Sequence, residues 1–202
     1  NVISQMILQI ITQVCWTLGI HPGFISSATG PILFGLDGMN QAAYAAGQPI
    51  PNIIGMAFSY SMTIAVLYPA FALAVLIFSK SDQLKTVGKI SIAPAFFGIS
   101  EPLMFGVPVV MNPFMAIPWI ISPMVNVLLG WLACSSGLVA RYAGVTVFNF
   151  PMGVTGILNG SFTIAILEVV ACIIDILIFM PFVRIQDKKY LAEEKAAAEA
   201  EQ

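Results

Sequence analysis

Residues 53 to 78, IIGMAFSYSMTIAVLYPAFALAVLIF, carry no charged side chain. As a helix rising about 1.5 Å per residue, such a run crosses the roughly 30 Å hydrocarbon core of a bilayer. FMAIPWIISPMVNVLLGWLAC (114 to 134) and the stretch from Gly160 to Val183 have the same character. Hydrophobic residues make up 58% of the 202 and charged residues 9%, too few charges to cover a soluble core of that composition. The chain therefore reads as all-α, a polytopic membrane helical bundle whose solvent is the lipid bilayer. Residues 1 to 20 are also uncharged and end at His-Pro-Gly, which suits a further span. Residues 22 to 48 are rich in Gly, Ser, Ala and Asn and read as a loop, an interfacial helix or re-entrant structure. A kink is expected at Pro69.

The charges orient the chain. Lys80, Lys85 and Lys89 fall in SKSDQLKTVGK (79 to 89), read as a loop, and Arg184, Lys188 and Lys189 follow the last span. The positive-inside rule makes both cytoplasmic, so an even number of crossings separates Lys89 from Arg184. The spans at 114 to 134 and 160 to 183 satisfy that count. The segment FFGISEPLMFGVPVVMNPF (96 to 114), broken by Gly98, Pro102, Gly106, Pro108 and Pro113, is then a re-entrant hairpin that enters and leaves from one side. In a second solution both 90 to 112 and 143 to 158 cross. Irregular backbone at membrane depth is tolerated only where it lines a protein or water cavity.

The net charge of -2 sits mostly in one connection and the C-terminal stretch, and no basic patch points to nucleic acid. Cys15, Cys134 and Cys172 lie apart in apolar sequence, without the spacing of a metal site or disulfide, and read as small hydrophobes. No metal site, cofactor or nucleotide-binding motif is expected. Were such a chain an energised transporter, its energy would have to come from an ion gradient or a partner. The chain begins at Asn1 without a leader pattern and reads as a piece of a longer protein, with a membrane unit over 1–183 and a helical or disordered cytoplasmic tail over 184–202.

Several polar residues are candidates for chemistry. A carboxylate in the hydrocarbon core costs about 2.5 kcal/mol or more, so Glu101 is either functional or a protonated or paired group that pins the hairpin. His21, the only histidine, stands at the edge of an apolar segment, where its neutral ring can donate one hydrogen bond and accept another. Trp16, Trp119 and Trp131 suit either the membrane interface or a platform for a sugar ring. Asn112 precedes a proline and suits a helix end or a ligand contact. Glu168 and Asp175, seven apart, share one face of the last span, with Arg141 as their expected counter-ion.

GISEPLMFGVPVVMNPFMAIPWIISPMVN, with LGIHPG upstream and IFMPFVRIQD downstream, resembles the sugar permeases of the phosphotransferase system, the enzyme IIC components of the lactose, cellobiose and diacetylchitobiose branch. The resemblance covers essentially the whole chain and implies the C-terminal, substrate-binding half of such a permease, in the bacterial cell (inner) membrane. It implies that a disaccharide is translocated while a phospho-IIB partner phosphorylates its 6-hydroxyl. It also implies a homodimer formed through an N-terminal half that this chain does not include. Glu101 and His21 match the family's Ser-Glu-Pro and Gly-Ile-His motifs and are the expected catalytic and substrate-binding pair, with Asn112 and Trp119 as further substrate contacts. Here Pro22, Gly23 and Phe24 follow His21, where the family commonly has Gly and a small or polar residue. The alternatives are a proton-coupled secondary sugar transporter, using Glu101, Glu168 or Asp175, and a non-transporting sugar-binding membrane subunit.

Overall fold

Every fourth position from Gln5 to Thr17 is polar, and the placement of the first helix follows from where those side chains point. The computed structural model describes residues 1–200. Helix α1 (Val2–Thr17) starts on Asn1, whose side-chain oxygen accepts from the Ser4 amide at 2.9 Å. Gln5, Gln9, Gln13 and Thr17 are buried, whereas Ile3, Ile7 and Ile11 are exposed. The spacing sets each group along one stripe, so α1 is polar toward the protein and apolar outward, the inverse of a soluble helix. Its 16 residues rise about 24 Å. The span expected over residues 1 to 20 is thus shorter here than the hydrocarbon core.

Helix α2 (Gly23–Ala45) runs unbroken through Pro31, where the sequence left a loop, an interfacial helix and re-entrant structure open. Its polar residues face protein. Asp37 Oδ2 accepts from the Ala57 amide at 2.8 Å and the Thr146 hydroxyl at 2.7 Å. Asn40 donates to the carbonyls of Asn52 (2.9 Å) and Tyr142 (3.1 Å). Asp37 thus bonds the first turn of the next helix and a loop, and Asn40 bonds two loops, while Phe24, Ile32 and Met39 are exposed. Burial raises the Asp37 carboxyl above its ordinary pKa, and the bonds from Thr146 and Ala57 pull the other way.

Among the described residues, three helical stretches are long and apolar enough to cross a membrane: Met56–Phe78, Pro113–Ser135 and Phe162–Ala200. The first comprises α3 (Met56–Tyr60), a π-helical turn (Ser61–Ala65) and α4 (Val66–Phe78). The distortion expected at Pro69 thus falls one turn earlier. Pro69 has no amide to offer the Ala65 carbonyl, and the π turn ends at Ala65.

After α4 only residues 79 to 81 connect to α5 (Asp82–Phe96). The expected loop over 79 to 89 is therefore mostly helix, with Lys85 and Lys89 on its first turns. The connection is closed by the last helix, α9 (Phe162–Ala200). Asp187 accepts from the Lys80 and Ser81 amides, both at 2.9 Å, and from the Ser81 hydroxyl at 2.7 Å. Glu194 accepts from the Gln83 amide at 3.1 Å. Backbone groups that the start of a helix leaves unpaired are so capped by a different helix.

The chain then breaks at residues 97 to 100, forms the short α6 (Glu101–Gly106), and turns into α7 (Pro113–Ser135). A Cβ on Gly106 would stand 2.6 Å from a Val87 methyl, so α6 folds back closely on α5. Between α7 and α9 lie irregular chain and the five-residue α8 (Val154–Leu158). The solution in which 143 to 158 crosses the membrane is corrected: a five-residue helix after irregular backbone cannot satisfy its own polar groups across a bilayer. Arg141 is no counter-ion for the α9 acids. Its guanidinium donates to the Ile50 and Pro51 carbonyls at 2.8 and 2.9 Å.

Candidate functional site

The end of α1 and the turn after α6 are stitched together by the Met111 amide, which donates to the Thr17 carbonyl at 2.7 Å. That bond brings the segments carrying His21 and Glu101 side by side, and both residues line one cavity of about 410 Å³, within the range of small-molecule sites. Its walls come from α1, α2, the α3 and π-helical stretch, and the break before α6. Polar groups enter from Gln9, Gln13 and Tyr60, and Trp16 and Phe148 supply aromatic rings.

Glu101 is the first residue of α6 and exposed to the cavity. Ser100 and Pro102 place it where the helix has just begun, and Gly98 makes the preceding turn possible. Gly98 has φ +76°, and a Cβ there would stand 2.8 Å from the Tyr60 hydroxyl, so the position requires glycine on both counts. The His21 Nδ1 accepts from the Gly23 amide at 3.1 Å. In the neutral ring that places the proton on Nε2, which remains a donor. The Trp16 ring meets the imidazole edge-on, with centroids 4.8 Å apart. The site therefore pairs a carboxyl acceptor with an imidazole donor beside an indole and carboxamides, chemistry suited to a neutral, hydroxyl-rich ligand.

The other candidates lie elsewhere. Asn112 does not line the cavity; its Oδ1 accepts from the Phe114 and Met115 amides at 3.1 and 3.3 Å and caps α7. Asn112→Ala is expected to lower stability by about 1 kcal/mol, read as a lower melting temperature in detergent. Trp119 is fully buried and stacked on Tyr68, with centroids 5.8 Å apart at 6°. It stands one ring behind Tyr68, which does line the cavity. Glu168 and Asp175 are fully buried and hold helices together. Glu168 accepts from the Ser61 and Thr155 hydroxyls and the Gly153 amide, and Asp175 from Asn126 at 2.7 Å. Cys134 and Cys172 are buried and Cys15 half-buried, all three free.

Sequence reasoning did not single out Gln9, Gln13, Tyr60 and Phe148, and it left Trp16 between an interfacial and a ring-stacking role. The glutamines had a signal: polar residues at four-residue intervals in an otherwise apolar helix. A second cavity, of about 520 Å³, shares Gln5, Leu8, Thr29 and Leu33 with the first and extends toward Trp131 and Arg141.

A family model described as "Phosphotransferase system, EIIC" matches residues 1–123. This chain belongs to that family. The oligo-beta-mannoside-specific EIIC component of Bacillus subtilis (strain 168) is 37% identical, over 98% of this chain and 46% of the relative. The cellobiose-specific EIIC component of Geobacillus stearothermophilus is 34% identical, over 97% and 46% respectively. The crystal structure of the transporter ChbC, the IIC component from the N,N'-diacetylchitobiose-specific phosphotransferase system, superposes with a TM-score of 0.92. It is 35% identical, and the match covers 96% of this chain and 47% of ChbC. This EIIC chain thus spans about half the length of the relatives it matches, and within that half it keeps the all-helical architecture.

Proposed function

We propose that this chain is the saccharide-binding half of a phosphotransferase-system permease, which carries a β-linked disaccharide inward as a phospho-IIB partner phosphorylates it. The observation that carries this reading is the convergence of His21 and Glu101, far apart in sequence, on one cavity in a chain of the EIIC family. The names of the relatives, specific for oligo-beta-mannosides, cellobiose and diacetylchitobiose, point to the substrate class, and a lactose-specific EIICB relative carries both components in its name.

In this reading Glu101 accepts a hydrogen bond from the sugar's 6-hydroxyl. As the phosphoryl group passes in line from the partner to the 6-oxygen, the hydroxyl proton passes to the Glu101 carboxylate, a positioning and general-base role. The Nε2 proton of His21 orients a neighbouring hydroxyl, and Trp16 offers an apolar face to the sugar ring. Residues 96 to 114 are the re-entrant hairpin and enter from the cytoplasmic side; the support for that side is the positive charge of Lys80 before α5 and of Arg184, Lys188 and Lys189 in the second half of α9. Dimerisation belongs to the N-terminal half of the full permease.

The test is uptake of radiolabelled cellobiose into vesicles holding the full-length permease, with and without phosphorylated IIB. The expected result is uptake that requires the phosphoryl donor, yields sugar 6-phosphate and survives a protonophore. Uptake that continues without the donor and collapses with the proton gradient would overturn this reading in favour of a secondary transporter. Binding without uptake under any condition would leave a non-transporting subunit.

A further inference from the structure

The segment between Gly144 and Gly153, which contributes Phe148 to the cavity's lining, is irregular chain fixed at its ends and held by few hydrogen bonds in the middle. Both glycines have a backbone that other residues rarely adopt, φ +89° and +88°. At the first end, Asn159 accepts from the Gly144 and Val145 amides at 3.1 and 3.0 Å, and Thr146 donates to Asp37. At the second, the Gly153 amide donates to the buried Glu168. Between Val147 and Met152, the one hydrogen bond to another part of the protein, among the described residues, runs from the Asn149 amide to the Tyr60 hydroxyl, 2.7 Å.

What that tether holds is Phe148. The ring lines the cavity yet is 51% exposed, resting edge-on against Tyr60 (5.1 Å) and Phe34 (6.4 Å). A half-exposed phenyl over a cavity built of an acid, an imidazole and carboxamides is poorly placed as core. It is well placed to cover the apolar face of a pyranose. The tether also abuts the break before Glu101: a Cβ on Gly98 would meet the Tyr60 hydroxyl at 2.8 Å and the Asn149 Oδ1 at 3.4 Å.

We infer that residues 147 to 152 are a strap that closes over a bound saccharide, with Phe148 as its contact face and the bond between the Asn149 amide and the Tyr60 hydroxyl as its latch. This rests on the saccharide-binding reading above. Closing would seat the ligand between Phe148 and the Glu101 turn, and release would break one hydrogen bond and part Phe148 from Tyr60 and Phe34, while the ends keep their anchors and Met152 its packing on the core.

The experiment uses the full-length permease in nanodiscs with cellobiose as the probe, and diacetylchitobiose and lactose as a panel. Hydrogen exchange over residues 147 to 152 is expected to slow when cellobiose saturates the protein. Tyr60→Phe removes the latch oxygen and keeps the ring, and is expected to speed cellobiose dissociation about fivefold with association little changed, the size of one lost hydrogen bond. Because Tyr60 itself lines the cavity, Gly153→Ala provides the independent arm. Open space surrounds Gly153, so the substitution strains the hinge without touching the ligand, and dissociation is again expected to quicken. Saccharide-independent exchange, or wild-type dissociation in Gly153→Ala, overturns the strap. If no panel sugar binds the wild-type protein, the equilibrium titration reports that directly, and the saccharide reading falls together with the strap.

Discussion

Glu101→Gln is expected to abolish sugar uptake and to weaken cellobiose binding roughly 10- to 150-fold in a permease that still inserts and melts as the native one does. The substitution keeps size and shape and removes the charge. Glu101 is exposed to the cavity, and among the described residues no hydrogen bond reaches its carboxyl group, so little of the fold depends on its charge. A charge-assisted bond to a hydroxyl is worth about 1.5–3 kcal/mol, roughly 10- to 150-fold in affinity. Because the proton acceptor of the transfer step is also lost, phosphorylation should fall further than binding. Calorimetric titration of the full-length variant checks the first effect, and sugar-phosphate formation with phosphorylated IIB checks the second. Unchanged binding would sink the assignment of Glu101.

Trp119→Ala is expected to be the most damaging single change to stability, about 3–5 kcal/mol. The indole has no exposed surface and contacts Tyr68 and Phe71 in the core that also holds Phe179. Truncation would leave a void that neighbours on three helices cannot fill. Trp119→Phe separates the roles once assigned to this residue. If it is core, the phenylalanine variant loses part of the melting temperature and keeps its affinity for cellobiose; a sugar platform would show the reverse. Chemical or thermal unfolding in detergent, beside the same titration, reads both.

The large features of this molecule are written in composition and spacing. The uncharged run from Ile53 to Phe78 and those that became α7 and α9 could form little but crossing helices, because lipid offers the backbone no other partner. Glu101 and His21 stood out because an ionisable group in such surroundings is costly. What the sequence concealed depends on direction rather than content. Residues 22 to 48 look too polar for a helix until Asp37 and Asn40 are seen to bond the start of α3 at Ala57 and the loops at 52, 142 and 146. Asn112 and Trp119 carry the right chemistry for a ligand, and their backbone positions turn it to capping and packing. Tyr60 sat inside an apolar span with nothing to mark it, since its partners, Gly98 and Asn149, are distant in the chain.

The unbroken course of α9 has a practical bearing. Residues 184–202 look like an appendage by charge, and Val183 like a natural place to end a shortened protein. The helix has no joint there. Asp187 and Glu194, seven apart on one face, are the acceptors for four donors at the start of α5, and α5 is the support on which the Glu101 turn stands. Cutting at Val183 would leave those donors unmatched and the support unfastened at its base. The charged end of α9 thus behaves as a keystone, and loss of activity on trimming would say nothing about a partner binding there.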